Sequence, residues 1–233
     1  MKFKITPSDA YPVAIISLSQ NEQIHIENGS MLYHNGDVEL EGKMNSNGKS
    51  GLKGALGALG RSITSGESIF ITDVTGRSDQ AEIAVAPSTP GQIRELSIGT
   101  KQWRLNTGAF LACNATVSYT MVKQHVAKAV FAGTGGLYVM ETAGEGTMLI
   151  NGYGDIIELT LDGQKPFTVD NSHVIAWENT LDYSIKAASG VIGFKTGEGL
   201  VNEFTGRGTV LIQSRNLETL ASKLSPFIQK KNN

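Results

Sequence analysis

Asp170, His173, Trp177 and Glu178 are the residues whose types and spacing best suit ligand chemistry in this 233-residue chain. An Asp three residues before a His on a strand turn can orient the imidazole for binding or proton transfer. The competing reading is a capped turn whose His is satisfied by its neighbours, as most buried polar groups are. The other histidines, His25, His34 and His125, each stand alone. His25-Ile26-Glu27 places an imidazole and a carboxylate on one face of a strand, two ligands of the kind a metal takes. The alternation of that segment turns this face toward solvent, so a surface pair is expected there rather than a metal site.

Other chemical motifs fail on spacing. Gly42-Lys-Met-Asn-Ser-Asn-Gly48-Lys49-Ser50 has five residues between its glycines, where a phosphate-binding loop needs four. It reads as an exposed loop entering a helix. No Gly-x-Ser-x-Gly nucleophile elbow is present. Cys113 follows the apolar Phe110-Leu-Ala112 and reads as a buried filler. No catalytic residue, cofactor site or metal site is therefore assigned.

The elements that must position these residues recur along the chain. Ser68–Gly76, Gly136–Gly144 and Gly199–Gly206 each combine an apolar strand with a glycine turn, and the turn glycines lie 68 and 62 residues apart. Trp103–Ala112 matches Phe167–Ala176, with an earlier copy at 24–32, and Glu95-Leu-Ser-Ile98 matches Glu158-Leu-Thr-Leu161. Repetition at roughly 65 residues, in short alternating strands, predicts an all-β protein: a triplicated sandwich or barrel with pseudo-threefold symmetry. The repeats run over about 10–85, 86–150 and 151–216, in a single domain 1–233 that ends in a helical tail, 217–233. Ile24/Ile26, Trp103/Leu105 and Phe167/Val169 are expected in the core, with His25, Arg104 and Thr168 outward. Gly76, Gly144 and Gly206 are expected at positive φ.

The four residues above depart from this pattern, standing where the preceding copy has Asn106, Ala109, Cys113 and Asn114. A residue the fold needs recurs in each copy, so a departure is the better candidate for function. Two segments read as helical. Leu52, Ala55, Leu56, Leu59 and Ile63 share one face over about 52–63. Asn216 can cap a helix over about 217–225, whose apolar stripe of Leu217, Leu220, Ala221 and Leu224 stops before Pro226. Both stripes are expected to pack on the β structure.

Composition narrows the function. The 20 basic and 22 acidic residues leave a net charge of −2, which argues against a nucleic-acid partner. One cysteine cannot form an internal disulfide. No apolar run is long enough to cross a membrane as a helix, and the first residues lack a signal-peptide core. A cytoplasmic location is the expectation.

The ordered landmarks resemble the family named for altered inheritance of mitochondria, whose bacterial members were long catalogued as a domain of unknown function. They are Gly66-Glu-Ser68, Pro90-Gly91, Gly108-Ala-Phe-Leu-Ala112, Val169-Asp-x-x-His173 with Ala176-Trp177, and Gly197-Glu-Gly-Leu-Val201 leading to Gln213-Ser-Arg215. Ser214 stands where the family usually has Thr. The resemblance implies a fold like that of the trp RNA-binding attenuation protein, with three repeats about a pseudo-threefold axis and homo-oligomers such as trimers. The first functional expectation is a non-enzymatic oligomeric scaffold or interaction protein. The alternative is a small-molecule-binding module with sites at repeat junctions, through Asp170, His173, Trp177 and Glu178. A metal-dependent double-stranded β-helix enzyme is least supported.

Overall fold

The computed structural model describes residues 1–45, 69–106, 108–124, 138–189 and 199–228. The inserted helix expected at 52–63 lies outside the described residues, as does His125. After β1 (Lys2–Ile5) come six strands: β2 (Ala14–Leu18), β3 (Gln23–Glu27), β4 (Met31–His34), β5 (Val38–Asn45), β6 (Ile69–Gly76) and β7 (Ala81–Val85). The next six are β8 (Gly91–Ile98), β9 (Trp103–Asn106), β10 (Phe110–Asn114), β11 (Val117–Lys123), β12 (Tyr138–Gly144) and β13 (Gly146–Tyr153). The last six are β14 (Ile156–Asp162), β15 (Phe167–Asp170), β16 (Val174–Glu178), β17 (Asp182–Ser189), β18 (Leu200–Thr205) and β19 (Arg207–Gln213). The chain then forms α1 (Leu217–Leu224). The protein is mostly β, with several antiparallel sheets and a C-terminal helix.

Strand order is β1-β2-β7-β4 in the first sheet and β5-β6-β3-β10-β13-β8 in the second. The third is β11-β12-β9-β16-β19-β14, which is the second with every strand six places later, and the fourth is β15-β18-β17. Each six-strand run is divided between two sheets. β3 meets β10 of the next run with Ile26 opposite Ala112, and β9 meets β16 with Leu105 opposite Ala176. A bulge interrupts β4–β7, β10–β13 and β16–β19 at corresponding places, between Met31 and Tyr33, Phe110 and Ala112, and Val174 and Ala176.

Three apolar clusters fill the spaces between sheets. Ile16, Ile24, Ile83 and Leu111 belong to the first, Leu105, Phe110, Met140 and Met148 to the second, and Val139, Trp177, Phe204 and Val210 to the third. β10 feeds two of them, Leu111 and Ala112 entering one and Phe110 and Cys113 the other. A strand covered on both faces reads as a continuous apolar run, which is what Phe110–Cys113 shows. Ile24, Ile26, Trp103, Leu105 and Val169 are buried as their alternation predicts, whereas Phe167 is half-buried.

Two expectations are corrected. Gly144 and Gly206 take φ of 82° and 100°, but Gly76 is not among the positive-φ residues. Its side chain is missing for another reason: a Cβ there would sit 2.4 Å from the Ser19 carbonyl oxygen. α1 begins on Asn216, whose side-chain oxygen accepts the Thr219 amide, and a short 3₁₀ turn, Ser225–Phe227, follows it. Its apolar stripe does not pack, however. Leu217 and Leu224 stay about half exposed, and no residue of the helix is buried.

Candidate functional site

A cleft of about 400 Å³ opens where strand ends from all three runs meet. Its walls come from the ends of β3, β9, β13 and β19, the 171–173 turn and the first residues of α1. That volume falls in the range of small-molecule sites.

Carboxamides fasten the walls. Asn106 Nδ2 donates to the Val174 carbonyl at 2.8 Å and the Asn171 carbonyl at 3.4 Å. Asn151 Nδ2 donates to the carbonyls of Gly108 and Ala109. Gln213 works both ways, its Nε2 donating to the Ser172 carbonyl and its Oε1 accepting the Tyr153 amide. Three side chains thereby hold the turns that line the cleft without spending any charge.

Glu27 takes the place in β3 that Asn106 takes in β9, one residue beyond Ile26 and Leu105. It is half-buried and lines the cleft. Burial pushes its carboxyl up to about 7, because a low-dielectric wall disfavours the charged form. The surface pair expected at His25 and Glu27 is thus corrected on both members: His25 Nδ1 meets Asp73 Oδ1 of β6 at 2.7 Å, and both of these side chains are half-buried. Two further cleft groups have unmet polar atoms. The side-chain oxygens of Gln124 and Asn171 are buried without a hydrogen-bond partner. The sequence reading took Glu27 for half of a surface pair and missed Gln124, because each lies at a strand end whose cover is supplied by a distant segment.

The four residues singled out above do not form one site. Asp170 accepts from the Ser172 amide at 2.8 Å and also from its hydroxyl, capping the 3₁₀ turn Asn171–His173. It is the Gln213 carbonyl, at 2.7 Å, that receives the His173 Nδ1 proton, while Asn216 Nδ2 donates to Nε2 at 2.9 Å. This pattern assigns the neutral tautomer with the proton on Nδ1. Asp170 therefore does not orient the imidazole. Trp177 is fully buried, edge-on to Tyr183 at 4.9 Å and to Phe204 at 5.6 Å. Glu178 meets Lys101 Nζ at 2.7 Å. Burial alone would raise its carboxyl, but hydrogen bonds from Lys101 and Thr209 outweigh this and hold it below the ordinary value. Asp170 and His173 border the cleft through the turn that carries Asn171 and Ser172, while Trp177 and Glu178 belong to core and sheet.

Among the described residues no cluster of three or more His, Cys, Asp or Glu side chains is placed to hold a metal. No described helix is long and apolar enough to cross a membrane. At β4 the sheet stops on an exposed edge, with Met31, Leu32 and Tyr33 41–52% exposed. β15 likewise ends its sheet.

An uncharacterised protein of Streptococcus pyogenes serotype M6 is 45% identical to this chain over 234 residues, covering all of this chain and 93% of its own length. An X-ray crystal structure of a Streptococcus pyogenes protein superposes with a TM-score of 0.80 at 42% identity, covering 97% of this chain and 99% of that one. Residues 3–215 match the family described as Mitochondrial biogenesis AIM24, and with this fold, these landmarks and these relatives the chain belongs to that family.

Proposed function

We propose that the chain is a non-enzymatic scaffold, built of three related β runs, that associates head to tail: the free edge of β15 in one copy takes the free edge of β4 in the next. The observation that carries this reading is that the same junction is made twice within the chain, β3 with β10 and β9 with β16. β15 holds in its run the place of β3 and β9, and β4 holds that of β10 and β16, yet each ends a sheet. Such an edge leaves a row of N–H and C=O groups ready to pair with another chain. Carrying the internal register across puts Val169 opposite Tyr33 and Thr168 opposite His34. Pairing there also withdraws the exposed Met31, Leu32 and Tyr33 from water.

A non-enzymatic role is supported by how the described reactive groups are used. The Cys113 thiol is fully buried and pushed up to about 12 by desolvation and the nearby Asp73 charge, far from a nucleophile. His173 has both ring nitrogens engaged, and His34 Nδ1 accepts the Gly36 amide.

The test is a chain carrying both His34→Cys and Thr168→Cys, oxidised mildly and run without reductant beside light scattering of the unaltered protein. Head-to-tail pairing gives a ladder of disulfide-linked multimers and a solution mass above one chain. A bridge formed within single chains, or no bridge with a monomeric mass, overturns the reading.

A further inference from the structure

We propose that Asn28 is a site of spontaneous covalent modification, its side-chain amide closing on the Gly29 backbone nitrogen and reopening as aspartate or isoaspartate in the turn from β3 to β4. This site is independent of the self-association above.

Asn-Gly pairs occur at 28–29, 35–36, 47–48 and 151–152, the third outside the described residues. Glycine has no side chain to hinder its own nitrogen, so each pair has the composition for ring closure. The fold separates them. Asn151 is 7% exposed, and its Nδ2 donates to the carbonyls of Gly108 and Ala109. It lies within β13, where pairing with Ile93 and Gln92 of β8 keeps residues 151 and 152 extended. Asn35 is exposed but engaged at both polar atoms. Its Nδ2 donates to the Gln80 carbonyl at 2.7 Å, and its Oδ1 accepts the amides of Asp37 and Glu82 at 3.1 and 3.2 Å. The nitrogen that would attack it is taken too, since Gly36 donates to His34 Nδ1 at 3.0 Å.

Asn28 and Gly29 are both exposed, at the centre of a turn closed by the Ser30 amide on the Glu27 carbonyl at 3.2 Å. The Ser30 hydroxyl donates to the same oxygen at 2.7 Å. Gly29 takes φ of +81° at the third place of the turn, where a type II turn calls for glycine, and a Cβ there would meet nothing within 4 Å. Among the described residues neither the Asn28 carboxamide nor the Gly29 amide has a hydrogen-bond partner. Electrophile and nucleophile are adjacent, unbonded and surrounded by open space.

The bond that forms joins the Gly29 nitrogen to Asn28 Cγ, and the bond that breaks is Cγ–Nδ2. Ammonia leaves with the amide proton, and one water then opens the cyclic imide at either ring C–N bond. Opening at Cγ gives aspartate. Opening at the main-chain carbonyl gives isoaspartate, which routes the backbone through Cγ and lengthens it by one carbon. Neither end of the turn can absorb that length. Ser30 is 6% exposed, with its carbonyl on the Ala86 amide at 2.9 Å, and Glu27 is held opposite Ile71 of β6. The turn must open just before β4.

The experiment holds the full chain for days at pH 8 and pH 6, and in urea at pH 8. Chymotrypsin then cuts at Leu32 and Tyr33, parting Asn28 from Asn35, and mass spectrometry with isoaspartate methyltransferase labelling reads each site. In the folded chain Asn28 should convert about tenfold or more ahead of Asn35 and Asn151, since breaking one or two hydrogen bonds first costs about that factor. Conversion should be faster at pH 8, where the attacking amide loses its proton more readily, and urea should bring the three sites together. Asn28→Gln, whose longer side chain closes far less readily, should abolish the signal. An Asn28 amide still intact when the urea-unfolded chain has converted overturns the proposal. So does Asn35 or Asn151 keeping pace with it in the folded chain, or a signal that survives Asn28→Gln.

Discussion

His173 and Asn216 are locked together by a chain of hydrogen bonds that runs from the end of β19 into α1. Gln213 accepts at one ring nitrogen, Asn216 donates to the other, and the remaining oxygen of Asn216 caps the helix at Thr219. One short side chain thus fixes an imidazole and starts a helix.

Replacing Asn216 by Ala removes both bonds. Loss of a helix cap costs about 0.5–2 kcal/mol, and Asn216→Ala should fall at the upper end because His173 Nε2 loses its donor as well. Asn216→Asp keeps the cap oxygen and loses the donor, so it should cost less. Urea denaturation of the three proteins checks the order.

Trp177 is the largest fully buried side chain of its cluster, with Tyr183 and Phe204 against its edges. Trp177→Ala should destabilise by about 3–5 kcal/mol through lost burial and the cavity left behind. Trp177→Phe should cost much less, since the indole N–H has no hydrogen-bond partner to lose. Denaturant midpoints distinguish these from a ligand-binding role, in which stability would hold while binding fell.

The carboxyl of Glu27, raised to about 7 from an ordinary value near 4.5, makes stability depend on pH in an unusual direction. Between those two values the folded chain holds a proton that the unfolded chain has released, so this group's contribution falls as pH rises through that window. Above pH 7 the ionised group costs about 1–2 kcal/mol, the full 1.4 kcal/mol per unit being reduced by the water that reaches a half-buried side chain. Glu27→Gln should be the more stable protein at pH 8 and should lose the Glu27 share of the slope between pH 4.5 and 7. Melting curves at pH 5, 6.5 and 8 measure both.

Gly76 and Gly29 separate two reasons for a glycine. At Gly76 a methyl would meet the Ser19 carbonyl at 2.4 Å, and backbone must move to admit it. At Gly29 there is open space, and the constraint is φ of +81°. Gly29→Ala should cost about 1 kcal/mol from backbone strain, and Gly76→Ala clearly more. Thermal unfolding of the pair decides whether contact outweighs conformation here.

The β character and much of the core were legible because alternation is local: Ile24 and Ile26, or Trp103 and Leu105, announce a buried face by themselves. Cys113, expected as a buried filler beside an apolar run, is indeed a core residue, opposite Met148 in β13. Glu27 was not, since a period-two pattern marks the two faces of a strand without saying what covers the second. The partners of His173 were hidden for a similar reason. Asp170 is three residues away, but Gln213 and Asn216, forty residues on, win the imidazole because the Ser172 amide and hydroxyl already occupy the acid. The exposed Leu217 and Leu224 show the converse case, an amphipathic pattern that no described residue buries.

Each run of six strands gives half of itself to one sheet and half to the next, like links closed through one another. No run can then leave the folded state without taking backbone bonds away from its neighbour. Removing β8–β13, for instance, would strip β3 of β10 and β16 of β9 in one cut. Heat should accordingly melt the sheets in a single cooperative step. A protease given one cut in the second run would loosen the first and third with it, so the molecule is durable while whole and fragile once nicked.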